Sequence, residues 1–268
     1  MPTPRLFPAL LRHWRSKRGL SQLDLGLAAD VSARHISFLE TGRSQPSPAM
    51  VMRLGATLDV PLRHVNEMLR AAGHPPAYPD ADLEDGLPEM VRSAVDLMKA
   101  HHEPFPLVVI NRTYDLLDLN RGALAMFQAA VPTLDLGARR PNLARLTFAE
   151  DGARGAIANF DEVGAALLWR IQREVLADPD DAPLRALLDE LLAMPAVGER
   201  WREADLSVPA SPTVNLHVRA GEHDLRFMTM VTALQAPQTV ALEELRIETW
   251  FPTDDATAQA CRALAEAT

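Results

Sequence analysis

The chain runs to 268 residues, 47% of them hydrophobic, enough for one large or two ordinary domains with a proper core. Its one cysteine, Cys261, excludes a disulfide framework; no apolar run approaches a membrane span and Met1-Pro2-Thr3-Pro4 is no signal peptide, so a cytoplasmic protein without membrane contact is expected. The net charge of −9 argues against a nucleic-acid partner only until it is divided. Residues 1–78 carry 10 Lys/Arg against 5 Asp/Glu and the remainder 17 against 31, a basic head on an acidic body.

In the head, Leu6, Leu10, Leu11 and Trp14 recur at helical spacing, which predicts a helix from Leu6 to Arg18 that Gly19 ends. Ser21 is a favourable N-cap for a helix over Gln22–Ala28, and Ser32 for one over Ala33–Thr41, with Gly42 as its stop. Ala29-Asp30-Val31 leaves room only for a tight turn between them. Leu23, Leu27, Val31, Ile36 and Leu39 are the expected buried seam, with Ala28 small enough to let the helices approach. Arg34, His35 and Ser37 are left facing outward. Ser47 caps a fourth helix with Pro48 in its first turn and Met50, Val51, Leu54 and Leu58 inward. Pro61 opens a fifth, to Ala72, with Leu62, Val65, Met68 and Leu69 inward, and Gly73 closes it.

Residues 21–43 resemble the helix-turn-helix of the phage-repressor-like (XRE) regulators, S-Q-x-x-L-A, then V-S, then I-S-x-[LIW]-E-x-G-[RK]. The matches are Ser21-Gln22, Leu25, Val31-Ser32, Ile36-Ser37, Leu39-Glu40 and Gly42-Arg43, with Gly26 where alanine is usual. The resemblance implies double-stranded operator DNA as partner. Ser32, Ala33, Arg34, His35 and Ser37 would then lie at the start and outer face of the recognition helix, with Arg34, His35 and Ser37 against base edges or the groove wall. Gln22 matches the family glutamine that buttresses or contacts DNA. Arg43, with Arg15 or Arg18, is placed for phosphates. Glu40 matches an internal family residue expected to pair with a basic side chain of the head. One small head reads a half-site, so a homodimer is expected.

Gly73-His74-Pro75-Pro76-Ala77-Tyr78-Pro79 cannot continue a helix and marks a boundary. The expected division is a helix-turn-helix domain over 1–78, a connecting helix within 79–100 and a second domain over 101–268. The connecting helix, Leu87–Lys99, should bury Met90, Val91, Ala94, Val95 and Met98. Beyond it, Pro106–Ile110 and Tyr114–Leu119 read as strands around an Asn111-Arg112 turn, and Asn120 caps a helix through Phe127. An apolar-striped helix follows over Leu184–Met194. Three strands come last, around Val214–Val218, Leu225–Leu234 and Leu245–Pro252, expected to pair antiparallel with the first two. Apolar residues on both sides of Leu225–Val231 predict a central strand covered on both faces. The fold class is therefore α+β: an all-α five-helix head, then a PAS-like domain with an antiparallel sheet covered by helices.

The second domain resembles the ligand-binding domain of the MmyB-like regulators in His102-Glu103-Pro104-Phe105-Pro106, Asn111-Arg112, Tyr114 and Asn120. Further matches are Asn142-Leu143-Ala144-Arg145-Leu146-Thr147-Phe148 and Leu245–Pro252, with Phe160 where tryptophan is commoner; they imply a family helix around Pro141–Phe148 and a long one from Asn159 towards Pro179. That resemblance implies a small apolar or fatty-acid-like effector, and no other cofactor. A carboxylate head group needs a basic or amide partner; Arg145, Asn142 and Arg170, on helices covering the sheet, are the candidates. No catalytic fingerprint is present. His101-His102-Glu103 lacks metal-ligand spacing, His217 and His223 lack their further partners, and Cys261 lies in an alanine-rich helix. The expectation is a ligand-responsive, DNA-binding transcription regulator and not an enzyme. The alternative is a second domain that serves only dimerisation or protein interaction.

Overall fold

The computed structural model describes residues 6–79, 87–134, 141–203, 213–234 and 239–267. The chain divides into two compact units. Among the described residues the first holds 6–79 and 239–243, the second 87–234 and 244–267.

The first unit is helical: α1 (Leu6–Lys17), α2 (Gln22–Ala28), α3 (Ala33–Glu40), α4 (Pro48–Thr57) and α5 (Leu62–Ala71). Ser21, Ser32 and Ser47 cap α2, α3 and α4 through their side-chain oxygens, and Asp24 completes a capping box with Ser21. The seam between α2 and α3 is not the one the sequence suggests. Leu25, Ala29, Ile36 and Leu39 are buried, whereas Leu23 and Leu27 are 59% and 74% exposed. Leu25 and Ala29 stand one turn apart on the opposite side of this two-turn helix, too short for periodicity to fix its phase. Ala28 is exposed as well; Gly26 makes the close approach, for a Cβ there would lie 2.7 Å from the Val31 carbonyl oxygen. In α1 it is Phe7, not Leu6, that joins Leu11 and Trp14 in the core.

Residues from the far end of the chain complete this unit. The short helix Val240–Glu243 buries Val240 and Leu242; Glu243 Oε2 accepts the Leu62 N–H at 2.9 Å, and the Val240 N–H donates to the Pro79 carbonyl at 3.2 Å. Pro61 cannot cap α5 with a side chain, so Glu243 satisfies a donor left open at that helix start. The segment after α5 is pinned by buried Asn66. Its Oδ1 accepts the Ala77 and Tyr78 N–H groups and its Nδ2 donates to the Tyr78 carbonyl.

The second unit is built on a five-stranded sheet: β1 (Leu107–Ile110), β2 (Leu116–Leu119), β3 (Thr213–Ala220), β4 (His223–Ala233) and β5 (Arg246–Pro252). All are antiparallel, in the order β2-β1-β5-β4-β3. Register places Ile110 opposite Arg246, Thr229 opposite Trp250 and Leu216 opposite Phe227, so these side chains share one inner face. Helices α7 (Arg121–Ala130), α8 (Leu143–Phe148), α9 (Phe160–Ala177), α10 (Ala182–Ala193) and α12 (Asp255–Ala267) pack with that face into a single core. Here α11 denotes Val240–Glu243 of the first unit, and α6 spans Glu89–His102.

Two expectations fail in this unit. Helix α6 buries only Val95, with Met98, Lys99 and His102 alongside; Met90 is 85% exposed. Lys99 bonds Asp118 at 2.6 Å and the His102 Nε2 meets the Trp250 carbonyl at 3.1 Å, so the turn ending at His102 sets the helix phase. Strand β4 is interior to the sheet but not covered twice. Phe227 is buried on the inner face while Met230, on the other, is 42% exposed.

Replacing Gly26 by valine forces the α2–α3 turn apart. We expect Gly26→Val to destabilise the first unit by about 1–3 kcal/mol, measured as lowered thermal unfolding of the full chain.

Candidate DNA-binding and effector sites

In the first unit a buried carboxylate holds the putting-together of three helices. Glu40, at the end of α3, receives Arg15 of α1 (Nε to Oε1 2.6 Å, Nη2 to Oε2 3.0 Å) and Gln22 of α2 (Nε2 to Oε2 2.8 Å). Arg12 donates to the Glu40 backbone carbonyl at 3.0 Å. Burial penalises the Glu40 carboxylate, yet its hydrogen bonds from Arg15 and Gln22 and the charges of Arg15 and Arg12 outweigh that, holding its pKa below the ordinary 4.5.

This arrangement sorts the sequence-derived DNA residues into two groups. Arg15, Arg18 and Gln22 have internal partners: Arg15 also donates to the Leu20 carbonyl at 2.7 Å, and Arg18 donates to the Leu58 carbonyl at 2.7 Å and to Asp59. Ser32 is exposed and accepts the His35 N–H at 3.1 Å. Arg34 and Arg43 are exposed and have no carboxylate partner among the described residues; Ala33, His35 and Ser37 are half-buried beside them. Phe38, which the motif spacing does not single out, is half-buried on the same helix with both guanidinium groups over its ring, Arg34 at 5.2 Å and Arg43 at 5.9 Å. An aromatic residue out of phase with Ile36 and Leu39 was the available signal.

In the second unit the helices do not fill the inner face of the sheet. A cavity of about 100 Å³ remains, walled by Ile110, Leu216 and Trp250 of the sheet and by Met126, Leu143 and Leu167 of the helices. Its wall is apolar apart from a few groups, among them Tyr114, Thr229, Arg170 and Glu248. Tyr114 stands at φ 66°, a left-handed conformation rare for an aromatic residue. Local bonds impose it. The Tyr114 N–H donates to the Asn111 carbonyl at 3.0 Å and the Leu143 N–H to the Tyr114 carbonyl at 2.8 Å, while the Asp115 N–H is held by the Asn111 side chain at 2.8 Å. Two guanidinium groups lie over the ring, Arg170 at 5.6 Å and Arg246 at 5.3 Å. Burial pushes the phenol up to about 12, so it stays protonated and donates to Glu174 at 3.2 Å.

The two arginines differ in one respect. Arg246 is neutralised by Glu174, at 3.0 Å. Arg170 lines the cavity, and its Nε is buried with no hydrogen-bond partner among the described residues. A buried donor without an acceptor is costly and marks a place where a ligand atom fits.

The sequence matches the MmyB-like transcription regulator ligand binding domain over residues 91–264, more than half the chain, and a helix-turn-helix family over 11–65. The chain belongs to the MmyB-like transcription regulators. Both matched families are regulator modules, one for binding DNA and one for binding a ligand, and neither is an enzyme family. No curated protein matches this MmyB-like regulator. Among solved structures, an RNA-binding light-oxygen-voltage receptor is similar at 14% identity with a TM-score of 0.28, over 97% of this chain and 63% of that one, too slight a likeness to bear on fold or function.

Of the three effector-binding candidates read from the sequence, the structure brings only Arg170 to the cavity of the MmyB-like domain. Asn142 caps α8 and donates to Asp115 Oδ1 at 2.9 Å; Arg145 forms a paired contact with Glu190, Nε to Oε1 and Nη2 to Oε2 both at 2.8 Å. Neither lines the cavity. Among the described residues no group of three or more metal-ligating side chains occurs, and no helix is long and apolar enough to cross a membrane.

A carboxylate with a depressed folded pKa contributes stability above its unfolded pKa and loses it as pH falls through the folded value. For Glu40 that loss begins as pH drops below 4.5. We expect Glu40→Ala to destabilise the first unit by about 3–5 kcal/mol at neutral pH. The variant should also lose part of the acid dependence of unfolding between neutral pH and acid, followed by circular dichroism.

Proposed function

We propose that this regulator binds a duplex operator through the outer face of α3 as a cytoplasmic homodimer, and that its effector is an apolar molecule with one anionic head group, of the fatty-acid type. The observation that carries the effector reading is the unpartnered, buried Arg170 Nε beside a cavity whose wall is otherwise largely apolar. A carboxylate there would meet Arg170 and the Tyr114 edge, while Arg246 stays matched by Glu174. The cavity is smaller than the ~150 Å³ that admits benzene in an engineered core, so an acyl chain enters by displacing flexible side chains such as Met126.

On the DNA side, Arg34 sits where base edges are read and Arg43 where the backbone passes, just beyond the helix. Ser32, Ala33, His35 and Ser37 surround them. Arg15, Arg18 and Gln22 act on DNA indirectly, by fixing the angle at which α3 is presented.

Titration with decanoate and decanol, matched in chain and different in charge, tests the effector reading. Decanoate should raise the unfolding temperature of the full chain more than decanol does, and Arg170→Met should abolish the difference. Equal stabilisation by both compounds in both proteins would remove the anionic head group from the reading, and no stabilisation by either would leave the second domain as an interaction module. For DNA, Arg34→Ala should relax selectivity at one base position by about 1–3 kcal/mol in binding-site selection. Arg43→Ala should weaken binding to all duplexes and lower the salt slope by about one.

A further inference from the structure

We propose that Phe38 is a positioning residue for DNA binding, a stacking platform shared by Arg34 and Arg43. The inference rests on the DNA-binding reading and adds to it a side chain that need touch no base. A phenylalanine in a folded domain ordinarily packs into the core. Phe38 does not. It is half-buried, and it is not among the residues packed against the cluster of Leu25, Ile36 and Leu39 at the centre of its unit. Its ring instead carries the two guanidinium groups, at 5.2 and 5.9 Å, both within the range of a cation–π contact.

The two arginines reach the ring by different routes. Arg34 precedes Phe38 by four residues on one helix, so the two side chains share a face. Arg43 comes from beyond the helix end. Gly42 stands at φ 69°, the left-handed conformation that turns the chain back, and the Arg43 and Ser44 N–H groups both donate to the Phe38 carbonyl, at 2.8 and 3.2 Å. Phe38 thus fixes Arg43 through its main chain and again through its ring.

Stacking engages the flat face of a guanidinium and leaves its in-plane N–H groups free for phosphate or guanine. It also restricts a long side chain before DNA arrives, so less rotamer freedom is lost on binding. The base-reading and backbone-holding arginines are therefore coupled through one residue that offers DNA no hydrogen bond.

The test uses the full chain, a random-sequence duplex read by fluorescence anisotropy over a salt series, and thermal unfolding of each variant. Phe38→Tyr and Phe38→Trp, which keep an aromatic face, should bind like the unaltered protein. Phe38→Leu keeps apolar bulk without that face. It should bind about fivefold to thirtyfold more weakly with its unfolding temperature unchanged. Arg43→Ala should then cost less in the Phe38→Leu background than alone. Unaltered binding by Phe38→Leu, additive losses, or a fall in unfolding temperature that accounts for the weaker binding would each overturn the proposal. Failure of the unaltered protein to bind any duplex is a different result, which overturns the DNA-binding reading underneath.

Discussion

The first unit depends on one carboxylate taken out of water. Glu40 accepts from Arg15 and Gln22, so a single anion joins α1, α2 and α3 at the place where the last of them ends. A buried charge is tolerated only when its hydrogen-bonding capacity is met, and here it is met by groups from separate helices. That requirement fixes the inclination of α3 more sharply than apolar packing does, because leucine and isoleucine contacts allow sliding and a two-pronged arginine contact does not. The outward presentation of Arg34, Phe38 and Arg43 follows from it.

The second unit meets the opposite problem. Its sheet is short on polar partners along the inner face and its helices stop before filling the space above Trp250 and Ile110. Close-packed interiors seldom leave such room, and the polar groups at its edge are held by local strain and by countercharge. Tyr114 keeps an unfavourable backbone angle because its own N–H and carbonyl are bonded to Asn111 and Leu143 while the Asn111 side chain holds the next N–H. Glu174 matches Arg246 and accepts from the Tyr114 hydroxyl. Among the described residues three buried polar atoms of α9 have no hydrogen-bond partner, Trp169 Nε1, Arg170 Nε and Gln172 Oε1, and of their residues Arg170 lines the cavity. A domain that retains an unsatisfied donor beside an apolar hollow has the chemical form of a receptor.

Local rules in the sequence were dependable where they act over a few residues. Ser21, Ser32, Ser47 and Asn120 all cap the helices they were expected to cap, and the antiparallel pairing of five strands followed from alternation and turn residues. Helix phase was less legible. Leu23 and Leu27 satisfy the same spacing as Leu25 and Ala29, and in seven residues nothing but tertiary contact chooses between them. In the longer α6 the phase is legible: Val91, Val95 and Met98 face inward as expected, and Met90 and Ala94 at the edge of that stripe are exposed. Among the effector candidates, Arg170, Asn142 and Arg145 satisfy equally what a carboxylate needs; Asp115 and Glu190 engage the last two, and only Arg170 lines the cavity. Tyr114 and Arg246 stand out in the sequence only as positions of family motifs, since the contacts of each come from residues far along the chain. Phe38, by contrast, has its partners four and five residues away and shows only as a member of a helix.

The helix at 240–243 makes the first unit discontinuous in sequence. A fragment ending near Pro79 would contain α1 to α5 yet lack α11, with the carboxylate that meets the Leu62 N–H and the apolar Val240 and Leu242 side chains. Such a head is therefore not an interchangeable cassette. Grafting it onto another sensor, or borrowing another head for this one, would have to carry a piece of the β4–β5 connection along. Recombination that respects only the linker would break the donor protein at two places rather than one.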